Sequence, residues 1–361
     1  MIALPPAAEQ TRIVDKIESL LSDLDAGVAE LKAAQRKLAQ YRQSLLKAAV
    51  EGRLTEAWRA QHGEPEESGA QLLARILRER RARWEATQLA KFEAQGKAPI
   101  KGWQDKYPKP SGPNAKASSN LPTGWTCATL DQLTEFITSG SRGWADFYAE
   151  QGATFIRSQN INRDRLDLSD IAYVNPPATS EGARTKVKRD DLLLTITGAN
   201  VGKAAPVLVE LDNAYVSQHV ALIRPMASSL TIFLHLFLTS SAGGRGQLNK
   251  EAYGAGKPGL NLQQVAAVLV PLPNAAELVA IMEEMNRLFF AASAQEEALA
   301  DALRQSAAQR KNILQAAFSG QLVPQDPNDE PASALLARIR AERAASGIPA
   351  KARGRKKKES S

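Results

Sequence analysis

The chain carries one pattern twice, and a long internal repeat constrains architecture before any local motif does. Residues 4–55 and 272–323 align without a gap at a shift of 268 (272 minus 4), with 18 identities in 52 positions. Alanine-rich helices match by chance, so the anchors matter more than the count. Leu4, Pro5, Ala7, Ala8 and Glu9 fall on Leu272, Pro273, Ala275, Ala276 and Glu277, and the ending from Leu46 to Leu54 falls on Leu314 to Leu322. After a short slip in register, Leu72-Leu73-Ala74-Arg75-Ile76 recurs as Leu335-Leu336-Ala337-Arg338-Ile339. The repeat implies two like helices flanking one unlike middle domain.

The first copy predicts a helix over 7–51, with Pro5 and Pro6 before it and Gly52 after it, the usual asymmetry of helix ends. Ile17, Leu20, Leu24, Gly27, Leu31, Ala34, Leu38, Tyr41, Leu45 and Ala48 alternate at spacings of three and four, a coiled-coil seam. The second copy, about 275–319, has a weaker seam: Met285, Leu288, Ala292, Gln295, Leu299, Ala302, Ser306, Gln309, Ile313 and Ala316. Each seam needs a partner, and the other helix of the same chain is the simplest. At 1.5 Å per residue each helix spans roughly 65–70 Å, or about 20 base pairs of DNA.

The remainder divides by composition. Residues 1–55 hold the first long helix, and residues 56–120 a basic helix and a Pro-rich linker in which Trp103 and Tyr107 are expected to dock on a surface. Residues 121–273 are short, β-branched segments bounded by Gly, Pro, Asn or Asp, with one helical stretch near 228–241, which predicts a mixed α/β domain. Residues 274–323 hold the second long helix, 324–350 a short C-terminal helix, and 351–361 a basic tail. The net charge of +7 sits mostly in that tail, where six basic and one acidic residue give +5. Residues 121–270 balance 13 Lys and Arg against 13 Asp and Glu. Net charge therefore announces no nucleic-acid partner, although segregated charge on one face would still serve one. The lone Cys127 excludes an intramolecular disulfide and fits a reducing compartment. No apolar run reaches the length of a membrane span, and the N-terminus lacks the features of a signal peptide. A cytoplasmic protein is expected.

Motifs for catalysis fail on inspection. Gly198 and Gly202-Lys203 have three residues between the glycines where a phosphate loop needs four, and Ala204 follows the lysine. Asn175-Pro176-Pro177-Ala178 resembles the Asn-Pro-Pro-aromatic motif of adenine methyltransferases, but Ala178 removes the aromatic that would stack on a flipped base. His62, His219, His235 and Cys127 form no metal cluster of suitable spacing. No catalytic residue, metal or cofactor is expected.

The order LPTGW (121–125), FIRSQNI (155–161), TGANVGKA (197–204), YVSQHVALIRP (215–225) and PGLNLQQ (258–264) running through LPN into the second long helix, all inside the helix repeat, resembles the specificity subunit of type I restriction–modification enzymes. The fold this resemblance implies is an α/β mixed target-recognition domain flanked by two long coiled-coil helices that pair antiparallel. In that family two recognition domains each read half of a split DNA site, and the helices act as a ruler. Methyltransferase subunits dock on the helices and methylate adenine, motor–nuclease subunits join to cleave, and the specificity subunit is not itself an enzyme. The chain starts inside what would be the junction between the first recognition domain and the first helix. The resemblance thus implies a subunit lacking the first domain, either as a fragment or as a one-domain form that pairs as a homodimer.

Sequence is read by side chains at groove edges, Arg on guanine and Asn or Gln on adenine. The loop residues expected to contact DNA are Ser139, Ser141 and Arg142; Arg157, Ser158, Gln159, Asn160 and Asn162; Gln218 and His219; and Lys250, Tyr253 and Lys257. Each also suits a surface or turn position, and Thr197, Asn200 and Lys203 are expected to stabilise a turn. A coiled-coil interaction module, or a truncated remnant without specific DNA binding, is the competing reading.

Overall fold

The computed structural model describes residues 4–114, 121–140, 143–176, 180–252 and 259–346. Two helices of 44 residues dominate it, α1 (Ala7–Val50) and α8 (Ala275–Phe318). The chain divides into two compact units, residues 1–39 with 292–361 and residues 40–291, and both helices contribute to each.

In the first unit, α1 and α8 run antiparallel: Arg310 pairs with Asp25, and Arg12 meets Asp329 at 2.5 Å just beyond the end of α8. The less exposed stripe on α1 follows Ile17, Leu20, Leu24, Val28, Leu31 and Leu38, whereas Gly27 is exposed. The seam expected from strict heptads thus slips by one residue at Gly27, and Tyr41, in the second unit, is exposed as well. The expected positions resume at Leu31 and Leu38, so the slip is local. On α8, Ala292 and Ile313 are buried as the seam requires, while Gln295 and Gln309 face out. Helix α8 ends at Gly320, whose φ of 72° suits a residue without Cβ. A last helix, α9 (Ala332–Ala345), has no buried residue.

The second unit opens with α2 (Glu56–His62) and α3 (Gly69–Ala94), the latter started by a reciprocal capping box between Ser68 and Gln71. The linker after α3 does dock: Trp103 stacks on Trp84 with ring centroids 5.8 Å apart, and Tyr107 meets Trp84 edge-on. Antiparallel strands β1 (Thr126–Thr129) and β12 (Leu269–Leu272) close the domain at its two ends. Between them lie two four-stranded sheets. The first orders β2 (Thr134–Ser139), β11 (Val220–Pro225), β8 (Leu192–Thr195) and β9 (Ala204–Pro206), all antiparallel. The second orders β10 (Ala214–Val216), β4 (Ala153–Ile156), β7 (Ala172–Val174) and β3 (Tyr148–Ala149), with β10 parallel to β4. A small hairpin joins β5 (Ile161–Asn162) to β6 (Arg165–Leu166).

Strand β8 explains why the first sheet sits centrally. Its residues Leu192-Leu193-Leu194-Thr195 are all buried, as befits a strand covered on both faces. Leu192 and Leu194 join the core that contains Phe233, Leu234 and Phe237 of α5 (Ser228–Thr239). Leu193 and its neighbour Leu222 point the other way, into a second core with Ile156 and Val216 of the other sheet. Period-two alternation thus builds two cores from one sheet. Three short helices, α4 (Ser180–Thr185), α6 (Gly244–Glu251) and α7 (Leu262–Ala266), lie outside the single helical stretch expected between 121 and 273. Gly244 and Gly246 in α6, and the five-residue length of α7, leave no periodic apolar face to read.

A buried polar hub fastens the helix ends to this domain. Glu277, fully buried in the first turn of α8, accepts from Thr55 Oγ1 at 2.6 Å, from Trp125 Nε1 at 2.7 Å, and from Arg59. Asn274 caps the helix by accepting from Glu277 N at 2.9 Å.

Candidate nucleic-acid interface

Parallel pairing of β4 and β10 sends the segments that follow them out at the same end of the domain. Ser217 N donates to Ile156 O at 2.9 Å, so Arg157 and Ser217 begin neighbouring loops. Three further segments join them. Ile196 N donates to His219 O at 2.9 Å, and Thr197 bridges to Gly259. The end of β2 arrives at Gly140, where a Cβ would lie 2.0 Å from Val216 O, so only glycine permits the approach. Asn200 reaches across to donate to Ser158 O at 3.2 Å. Segments around 139–140, 157–162, 196–203, 217–219 and 259 therefore form one loop cluster.

Of the thirteen residues picked from sequence, Ser139, Arg157, Ser158, Gln159, Asn160, Asn162, Gln218 and His219 fall in or beside this cluster. Ser141, Arg142, Tyr253 and Lys257 lie outside the described residues, although Gly140 and Gly259 border two of the segments concerned. Lys250 sits exposed near the end of α6. Asn249 of the same helix borders Gly202, which connects α6 to the loop 196–203.

These residues divide by what their side chains already do. Asn160 is buried, accepts from Arg157 N at 2.9 Å, and donates to Asp167 O and Asp170 O at 3.0 and 2.8 Å. Its amide is consumed in shaping the loop. Arg157 donates to the backbone and carboxylate of Asp170, both at 3.2 Å, and Gln159 donates to the same carboxylate at 2.7 Å. Asp170 is 73% exposed, so this pairing is readily exchanged for another acceptor. Gln218 is exposed and contacts His219 at 3.3 Å, and Asn162 is exposed on the hairpin. Asn200 and Lys203 behave as the turn reading expects, with Lys203 Nζ donating to Asn200 Oδ1 at 2.8 Å.

Sequence reasoning missed the device that holds the hairpin. Arg163 and Asp164 form its two-residue turn with φ of 50° and 58°, left-handed values that Gly, Asn and Asp adopt readily but Arg does not. Asp164 is pinned from three sides: Arg245 donates to its carboxylate at 2.5 Å, Ala204 N at 3.1 Å, and His235 Nε2 reaches its carbonyl at 3.0 Å. His235 also contacts Ala204 O at 3.2 Å, so Nε2 carries the proton. Burial holds the His235 pKa below the usual imidazole value, against the raising effect of these carbonyls. An Arg-Asp turn gives no signal in sequence, because its strain is compensated by residues 40 and 81 positions away.

Among the described residues, no group of three or more His, Cys, Asp or Glu could hold a metal ion, and no helix is long and apolar enough to cross a membrane. Cys127 is free and buried.

The arrangement, a strand-rich domain inserted in sequence between two long helices, with a cluster of polar loops at one end, is matched among known proteins. The Escherichia coli type I restriction enzyme EcoBI specificity subunit is 27% identical over 358 residues, which cover 96% of this chain and 65% of that protein. The EcoKI specificity subunit of strain K12 is 26% identical over 359 residues, again 96% of this chain and 64% of that protein. The chain spans just under two thirds of the length of these relatives. A chain from a structural study of complex assembly and conformational transition in the type I restriction–modification system shares the fold, with a TM-score of 0.56 at 18% identity, over 88% of this chain and 61% of that one. No protein-family model matches. The chain is thus homologous to type I specificity subunits along almost its whole length.

Proposed function

We propose that this chain is the non-catalytic DNA-recognition and scaffold subunit of a type I restriction–modification complex. The observation that carries this reading is the loop cluster at the joint end of β4 and β10, on a domain tied through Glu277 to the helices. The cluster presents exposed Gln218 and Asn162, exchangeable Arg157 and Gln159, and the borders of the segments containing Arg142 and Lys257. These are the side-chain types that read base edges and phosphates.

In this reading the domain reads one half-site of double-stranded DNA. Methyltransferase subunits dock on α1 and α8 and supply the methylation chemistry, and motor–nuclease subunits join them. The subunit needs no cofactor of its own and works in the cytoplasm, consistent with the reduced, buried Cys127. A homodimer would read a split palindrome. Helices of 44 residues, about 66 Å at 1.5 Å per residue, match the span of about 20 base pairs.

The test is co-expression with a methyltransferase subunit and mapping of N6-methyladenine across the host genome by single-molecule sequencing. A new split motif is expected, and its unread spacer measures the helix ruler. A soluble complex that adds no motif would overturn the reading and leave an interaction module in its place.

A further inference from the structure

The β5–β6 hairpin continues the 157–162 segment of the loop cluster, and it breaks a local rule at its tip. Its alternation is regular. Ile161, fully buried, pairs with Leu166, and both pack into the second core. The next pair, Asn162 and Arg165, is therefore turned outward, and both residues are exposed. The two turn residues take left-handed φ, which crowds Cβ against the backbone, so such turns are built from Gly, Asn and Asp. Asp164 obeys that preference and Arg163 does not.

No contact of Arg163 offsets the strain. Its side chain is exposed, and neither it nor Arg165 has a side-chain hydrogen bond or ion pair among the described residues. Arg157 and Arg245, by contrast, are paired with Asp170 and Asp164. On the helix side the hairpin borders a groove lined by Leu46, Leu208 and Phe289, which leaves the two guanidiniums uncovered. A strained residue that stabilises nothing in its own fold, in a turn held from three sides, marks a binding position.

The turn also stands at the right end of the domain. Asp164 accepts from Ala204 N, and the preceding residue, Lys203, accepts through its carbonyl from Thr195 N at 2.9 Å, next to Ile196 of the cluster. Arg245 ties the turn to α6 and borders Gly202, so the hairpin, the loop 196–203 and α6 form one rim.

We propose that the β5–β6 hairpin is the ribbon by which the domain enters the major groove of duplex DNA, with Arg163 at its tip reading a base edge and Arg165 on its outer face meeting phosphate. This rests on the DNA-recognition reading and adds to it the element that enters the groove and two contacting residues. The major groove is about 12 Å wide and admits a two-stranded β-ribbon. A guanidinium presents a planar fork that matches O6 and N7 of guanine. Because the turn is pinned before DNA arrives, little backbone freedom is lost on binding.

The experiment uses the full-length chain assembled with its methyltransferase subunit. Competition binding compares a duplex carrying the motif found by methyladenine mapping with random duplex, and urea unfolding follows the chain alone. Arg163→Asn suits the φ of 50° and removes the guanidinium. It should raise the urea midpoint, because the strain is relieved. It should weaken the motif duplex about tenfold or more, with a much smaller loss on random duplex. Arg163→Lys keeps the charge without the fork and should lose the motif preference while holding random duplex. Arg165→Gln should weaken both duplexes alike and lower the salt slope by about one. A wild-type complex that prefers no duplex overturns the DNA-recognition reading and the ribbon with it. A wild-type preference that survives Arg163→Asn unchanged overturns the ribbon alone. Full motif binding by Arg163→Lys overturns the base contact, and an unchanged salt slope with Arg165→Gln overturns the phosphate contact.

Discussion

Thr55 Oγ1 donates a 2.6 Å hydrogen bond to Glu277 Oε1 across 222 positions of sequence, joining the residue after the turn that ends α1 to the first turn of α8. Glu277 also serves Arg59 and Trp125, so one buried carboxylate holds the two helix ends and the strand-rich domain in register.

Replacing Glu277 by Ala removes the acceptor for all three donors while leaving Arg59 only 19% exposed. Breaking a buried ion pair from one side costs about 3–5 kcal/mol. Glu284→Ala, by contrast, breaks the exposed pair with Arg287 and should cost no more than about 1 kcal/mol. Urea unfolding of the two variants measures the difference, and equal losses would refute the hub.

Gly140→Ala tests how the loop cluster is assembled. The new methyl would collide with Val216 O and the backbone of Ser217. Overpacking of this kind costs about 1–3 kcal/mol. The expected result is a modest drop in Tm with loss of cognate DNA binding in the assembled complex. Unchanged binding would show that the approach of β2 to the 217–219 loop plays no part in recognition.

Asn160 and Gln218 are both amides in the cluster, yet they should fail differently. Asn160→Ala strands buried backbone groups and should cost about 1–3 kcal/mol of stability. Gln218→Ala should leave stability within about 0.5 kcal/mol. On the cognate half-site it should cost about 1–3 kcal/mol of binding, and little on random DNA. Denaturation curves and competition binding separate the two, and a Gln218 variant that weakens both DNAs equally would place it on phosphate.

His235 sets a pH dependence. Its folded pKa lies below the unfolded value, so the unfolded state binds more protons between the two. Stability is therefore fully present above about pH 6.5 and declines as the pH falls toward the depressed folded value. Urea midpoints should fall from about pH 7.5 to about pH 5, and His235→Gln should flatten that trend. The lowered carboxylates Glu67, Asp167, Glu284 and Asp329 titrate below this window and do not confuse it. A slope that survives the substitution would assign the pH dependence elsewhere.

The sequence displays the long helices because their signals are periodic and local: heptad spacing, prolines before, glycine after. It shows the strand-rich domain through β-branched runs and short apolar segments such as that of β8. It hides what depends on distant partners. Asn160 and Gln218 look alike as residues, and only the carbonyls of Asp167 and Asp170 make one a builder of the loop. Glu277 is visible as a repeat anchor opposite Glu9, but its donors Thr55, Arg59 and Trp125 come from separate parts of the chain. An ideal period puts Gly27 in the seam, but Val28 takes the less exposed place there and the expected positions resume at Leu31, Leu38 and Leu45.

The parallel pairing of β4 with β10 has an evolutionary consequence. Two short segments, 157–162 and 217–219, emerge side by side although more than fifty residues of chain separate them, and neither supplies a strand to the central sheet. Within them Asn160, Ile161 and Ser217 are buried and belong to the framework, whereas Gln159, Asn162 and Gln218 are exposed and free to vary. Substitution at these exposed positions alters the chemistry of this end of the domain, while the cores and the hub at Glu277 pass unchanged from one variant to the next.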